Sequence, residues 1–124
     1  MAAALTVSVI AELTGLGEGL VFVDKGINGT TPTAFTKIYK TLAKADTAEA
    51  LDLGDVSTIA CIVIRAITKN LDIDLDYADP FSKDLTIKAG EEPAVIPNPA
   101  GIVYVKNNTE SETPVFEYIV IGTT

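Results

Sequence analysis

Three aspartates, Asp72, Asp74 and Asp76, stand at every second position between Leu71 and Tyr77. On a strand they would share one face, with neighbours about 6.5–7 Å apart. An Asp-x-Asp-x-Asp opening is also how an EF-hand calcium loop begins. The rest of that loop is not here: counting from Asp72, its glycine position holds Tyr77 and its bidentate glutamate position holds Lys83. We read the triplet as the solvated face of a strand, where clustered charge discourages unwanted edge pairing. Glu91 with Glu92, Glu110 with Glu112, and Asp24 could form a carboxylate pair for acid–base work, but all fall in segments that read as turns. Tyr39, Tyr77, Tyr104 and Tyr118 could stack on a ring, yet they are scattered singly and read as packing residues. Cys61 is the sole cysteine and lies inside the most apolar run of the chain. It reads as a small buried hydrophobe, because no basic neighbour is there to make a thiolate. The chain contains no histidine. That excludes Ser-His-Asp and Cys-His catalysis and histidine-based metal sites. No catalytic, cofactor-binding or metal-ligating residue is assigned, and the chain does not read as an enzyme.

These residues sit on a pattern of short strands. Residues 56–77 are the organising stretch. Ile59, Cys61, Val63 and Ile67 share one face and Ala60, Ile62, Ile64 and Ala66 the other, which predicts a strand buried on both sides. Lys69-Asn70 reads as a turn into a second, half-buried strand, where Leu71, Ile73, Leu75 and Tyr77 alternate with the acids. The two are expected to pair as an antiparallel hairpin. Alternation over 5–13 predicts a strand whose second face is partly covered, since Ile10 breaks the alternation. The glycines of 14–19 mark a loop, and no Gly-Lys-Thr or helix follows to make it a phosphate loop. After the apolar run 20–23, residues 24–32 are expected to be loop, with a tight turn at Asn28-Gly29.

In 33–45, Phe35, Ile38, Tyr39 and Leu42 have helical spacing, while Phe35-Thr36-Lys37-Ile38-Tyr39 has strand composition. The β surroundings favour strand. Short strands are expected over 84–88, 102–106 and 115–121, and prolines confine 93–97 to a sheet edge. Residues 107–113 form a polar loop. Two glycosylation sequons, at Asn28 and Asn107, read as chance matches. The fold class is therefore all-β: an antiparallel β-sandwich or jelly-roll-like domain of eight to nine short strands, spanning 1–124 as one domain.

Composition limits the partners. Nine basic against seventeen acidic residues give a net charge of −8. Such a chain is repelled by phosphate backbones and anionic membranes, so neither nucleic acid nor membrane is an expected partner. The hydrophobic share of 48% supplies a core and leaves apolar residues over for a surface covered by other copies or another protein. The opening residues carry no basic residue and no apolar run of signal-peptide length. A protein made in a cytoplasm, or released with a particle assembled there, is expected.

Four stretches taken in order carry a resemblance: Glu49-Ala50-Leu51-Asp52-Leu53-Gly54-Asp55-Val56-Ser57-Thr58-Ile59, Leu85-Thr86-Ile87-Lys88-Ala89-Gly90-Glu91, Gly101-Ile102-Val103-Tyr104-Val105-Lys106-Asn107-Asn108 and Glu117-Tyr118-Ile119-Val120-Ile121-Gly122. Together they resemble small β-sandwich virion proteins of tailed bacteriophages, over roughly the later two-thirds of the chain. The surroundings of Glu92-Pro93 and Pro97-Asn98-Pro99 depart from that pattern. The resemblance implies a structural virion protein, first of all a capsid decoration or cement protein on the outside of a phage head. Its partners would be the major capsid protein or other virion proteins, and further copies of itself as a trimer or dimer. A tail, baseplate or head–tail connector component and a receptor- or glycan-binding module are the alternatives.

Overall fold

A computed structural model describes residues 3–15, 17 and 19–124. The described chain contains ten strands and no helix: β1 (Thr6–Leu13), β2 (Leu20–Ile27), β3 (Ala34–Thr41), β4 (Glu49–Ala50), β5 (Thr58–Ala66), β6 (Leu71–Asp74), β7 (Leu85–Ile87), β8 (Ala94–Pro97), β9 (Tyr104–Asn107) and β10 (Val115–Thr123). They form two four-stranded antiparallel sheets, β3-β10-β5-β8 and β4-β9-β6-β7, and a separate two-stranded ribbon, β1-β2. The fold is all-β and sandwich-like, as the alternation predicts. The strand count exceeds the expected eight or nine; β4, two residues long, carries too little pattern to be read from sequence. Residues 34–41 are strand, and β8 is an edge strand.

One core joins the two sheets. Ile62 and Ile64 of β5 and Phe116, Tyr118 and Val120 of β10 point inward from the first. Leu71 and Ile73 of β6, Ile87 of β7 and Val105 of β9 meet them from the second. On β5, β6 and β10 they stand two positions apart, so a one-residue register slip would turn them outward. The Phe116 and Tyr118 rings lie near-parallel, with centroids 5.9 Å apart. Close approach fixes the end of β10. The ladder to β5 shifts between Ile121 and Gly122, and a Cβ on Gly122 would overlap the Thr58 carbonyl oxygen.

Two expectations change. β5 and β6 do not pair with each other. β5 lies between β10 and β8, whereas β6 lies between β9 and β7 in the other sheet, so residues 67–70 are a crossover. The reason is burial. The Ala60, Ile62, Ile64 and Ala66 face and the Leu71 and Ile73 face both need the same core, and facing sheets let both reach it. The second change concerns β2. It continues through Asp24 to Ile27 with β1 opposite it throughout, so the expected loop begins only at Asn28. There the Asn28 side chain accepts the Thr30 N–H at 2.9 Å, closing the turn. Gly15 and Gly17, in the link between β1 and β2, have φ near +90°. Leu16 and Glu18, within the loop expected over 14–19, lie outside the described residues.

Candidate interaction surface

The acidic triplet is where sequence placed the most chemistry, and the fold uses it for architecture. Its expected solvated face is not solvated. Asp74 is buried, 2% exposed, and accepts the N–H groups of Asp76 at 3.1 Å and Ser82 at 2.9 Å. Asp72 accepts the Thr86 hydroxyl at 2.7 Å and the Asn108 amide at 2.9 Å. Only Asp76 is exposed, beyond the end of β6. The cause is the segment 75–84, which folds back across the outer face of the second sheet. Its Tyr77 ring stacks on Tyr104 at 3.7 Å, and Lys106 Nζ lies 5.8 Å from the centre of the Phe81 ring. Among the described residues no group of three His, Cys, Asp or Glu side chains is placed to hold a metal. Oδ1 of Asp72 and both carboxylate oxygens of Asp74 are occupied by protein donors.

The other candidate acids are apart. Asp24 is on the β1-β2 ribbon, Glu91 and Glu92 follow β7, and Glu112 pairs with Lys69 at 3.2 Å. Three of the four tyrosines are at least half-buried, and Tyr39 alone is exposed. Tyr118 is a structural anchor that sequence reasoning treated only as packing. Its hydroxyl donates to the Asp52 carbonyl at 3.0 Å and accepts the Asp52 N–H at 2.9 Å, which ties β10 to the segment between β4 and β5. Burial pushes its phenol up to about 12. Asn107 is a second anchor. It donates to Asp46 Oδ1 at 2.8 Å and to the Thr109 carbonyl at 2.7 Å, and accepts the Asp46 N–H at 2.8 Å. The Asn107 amide and the Ser111 N–H hold the Asp46 carboxyl below its usual range. A side chain so engaged cannot carry a glycan, in line with the reading of that sequon as chance. Cys61 is buried, and burial raises its thiol pKa, which disfavours the thiolate.

What the fold leaves open is apolar. The β1-β2 ribbon projects as an arm, and among the described residues no other strand packs along it. In the arm the pairs Val9–Asp24, Ala11–Phe22 and Leu13–Leu20 share one face, and Ile10–Val23 and Glu12–Val21 the other. Apolar residues therefore line both faces. Leu20, Val21, Phe22 and Val23 are each 60–65% exposed, Ile10 65% and Ile27 75%. The expectation that the second face of β1 is partly covered does not hold; only Val7 is even half-buried. The breaking of alternation at Ile10 was the available signal. It meant apolar residues on both sides of an uncovered ribbon rather than cover from within.

The first sheet adds to this. Its outer face carries rows of cross-strand neighbours: Phe35, Ile121, Cys61 and Pro97 in one, Lys37, Ile119, Val63 and Val95 in the next, then Tyr39, Glu117 and Arg65. Two of these three rows are mainly apolar on the side of a sandwich that normally faces water. At the arm's base, Asn28 Nδ2 reaches the Ala60 carbonyl at 3.5 Å and the Asn28 N–H donates to the Leu5 carbonyl at 2.8 Å. Between the arm (Val7, Val9, Phe22) and the sheet (Cys61, Val95, Pro97) runs a groove of about 330 Å³. A second hollow, of about 450 Å³, lies over Phe35, Ile119 and Ile121. Asp24 and Asn28 are the polar side chains at the first, and Thr33 the one at the second. Comparison with protein families, with curated proteins and with solved structures returned no match.

Proposed function

We propose that this protein is a structural component of a virus particle, a decoration or cement protein that binds the outer surface of a phage head and stabilises it without catalysis. The observation that carries the reading is the arm, whose large apolar residues stay 40–75% exposed among the described residues. Isolated apolar side chains at a surface are ordinary, but a contiguous patch of them is a docking surface. The resemblance noted in the sequence supplies the kind of particle. Its stretches form β4 to the start of β5, β7, β9 and β10, the sandwich and not the arm. The acidity supports the outside of the shell, away from packaged nucleic acid. The partner on this reading is the major capsid protein.

The test is location and copy number. Electron microscopy of intact particles is expected to place the protein on the head, and gel densitometry to count hundreds of copies. A few to a few dozen copies would make it a tail, baseplate or connector component instead. Failure of purified protein to bind purified capsid shells removes the decoration reading. Saturable binding on a sugar array, with none to shells, would make it a glycan-binding module.

A further inference from the structure

We propose that the arm is a clasp between copies of this chain: the arm of one copy lies on the outer face of the β3-β10-β5-β8 sheet of a second copy. The inference rests on reading the arm as an assembly element, and not on which particle the chain belongs to. Four observations select a second copy as the occupant.

The first is the state of the arm itself. A two-stranded ribbon alone is marginally stable in water, and this one meets the sandwich beside it only across the groove at Val7, Val9 and Phe22. The second is fit. The strands of the arm are eight residues long, and so is β3; β10 has nine. Arm and seat are thus each about 27–30 Å long. The third is area. Eight large apolar side chains of the arm keep 40–75% of their surface in water. They are divided between the two faces of the arm, so one arm face together with the seat, exchanged reciprocally, is on the order of the ~800 Å² that each partner contributes to a standard interface. The seat offers Phe35, at 69% exposed, beside the half-buried Ile119 and Ile121.

The fourth is charge. The whole chain is at −8, so two copies repel in general. The seat is an exception. Lys37, Arg65 and Glu117 share this outer face, and Arg65 already pairs with Glu117 at 3.0 Å, leaving Lys37 in excess. The arm strands carry Glu12, Asp24 and Lys25, an excess of one acid. The signs match between arm and seat and nowhere favour arm against arm. Reciprocal exchange about a twofold axis closes a dimer; the same contact repeated about a threefold axis closes a trimer.

Cross-linking tests this directly. In a Cys61→Ala background, one chain carries Phe22→Cys and a separately purified chain carries Phe35→Cys. Mixed and mildly oxidised, they are expected to form a disulfide-linked pair. Phe22→Cys mixed with Thr86→Cys, on the outer face of the second sheet, is expected to form none. Light scattering of the unmodified chain is expected to give two or three times 13.0 kDa. Phe22→Asp, which leaves the core untouched, is expected to return the mass to one chain. A monomer at millimolar concentration overturns the proposal. So does an oligomer that survives Phe22→Asp, or cross-linking to position 86 instead of 35. The two readings fail separately. Copies that clasp but ignore capsid shells remove the decoration reading alone, whereas a monomer that binds shells through its arm removes the clasp alone.

Discussion

Single residues in this chain do structural work where their chemistry suggested something else. Tyr118 shows it through pH. Its phenol is raised to about 12 by burial, so the folded state favours the neutral form. A group raised in this way contributes stability that is fully present below its unfolded value of about 10 and is lost as pH rises towards 12. Urea midpoints measured from pH 9 to 12 are expected to fall by an amount worth about 2–3 kcal/mol, and Tyr118→Phe is expected to remove most of that dependence. At neutral pH the same substitution leaves the Asp52 N–H and carbonyl without their partner, at a cost of about 1–3 kcal/mol. Asp46 runs the other way. Its carboxyl is lowered by Asn107 and Ser111, so its contribution is present above the unfolded carboxylate range and disappears as pH falls through the lowered folded value. The protection factors of the Ser111 and Asp46 amides against hydrogen exchange are expected to fall in acid before the sandwich unfolds. Asn107→Ala is expected to cost about 2–3 kcal/mol by denaturant titration, since it strands donors and acceptors at Asp46 and Thr109. The Asp72–Asp76 triplet was legible as alternation but not as architecture. Spacing shows which residues share a face; it does not show that the chain returns eight residues later to cover that face.

At the level of elements, the two sheets and the arm answer to different forces. β5, β10 and their neighbours are set by period-2 burial, which is local and readable. Their pairing is not. Which strand lies beside β5 depends on contacts between residues far apart in sequence, and two equally apolar strands in succession look the same whether they pair or face each other. The exposure of the arm is illegible in the sequence for a related reason. An uncovered apolar strand and a buried one have the same letters, and only the fold tells them apart. This separation has a measurable consequence. Replacing residues 6–27 with a short glycine-serine link removes no core residue, so the monomeric sandwich is expected to keep its thermal midpoint within a few degrees. Gly122→Ala, by contrast, forces β10 away from β5 at the Thr58 carbonyl and is expected to lower that midpoint by several degrees, or about 1–3 kcal/mol.

Taken whole, the molecule has two unlike sides. The outer face of the second sheet is polar and screened by the segment 75–84; the outer face of the first is apolar and flanked by the arm. Association through the apolar side is opposed by like charge on both chains and driven by removal of apolar surface from water. Added salt screens the first and leaves the second intact. Copies are therefore expected to associate more tightly at 0.5 M than at 0.05 M sodium chloride by sedimentation velocity, with sulfate stronger still. An interface held by ion pairs would respond in the opposite sense.

The position of β10 has a bearing on timing. It sits between β3 and β5, yet follows every other strand in the chain. Until it has been synthesised, β3 has no neighbour in its sheet, and β5 has only the four-residue β8. Ile119 and Ile121, the centre of the proposed seat, belong to that same strand. The arm comes off the ribosome early and its seat late. A nascent chain thus displays something to be held long before it can hold anything, which makes premature pairing between unfinished copies a one-sided affair. Ribosome-bound chains stalled before Val115 are expected to be protease-sensitive throughout 34–107 and to gain resistance together, in a single step, once β10 has emerged.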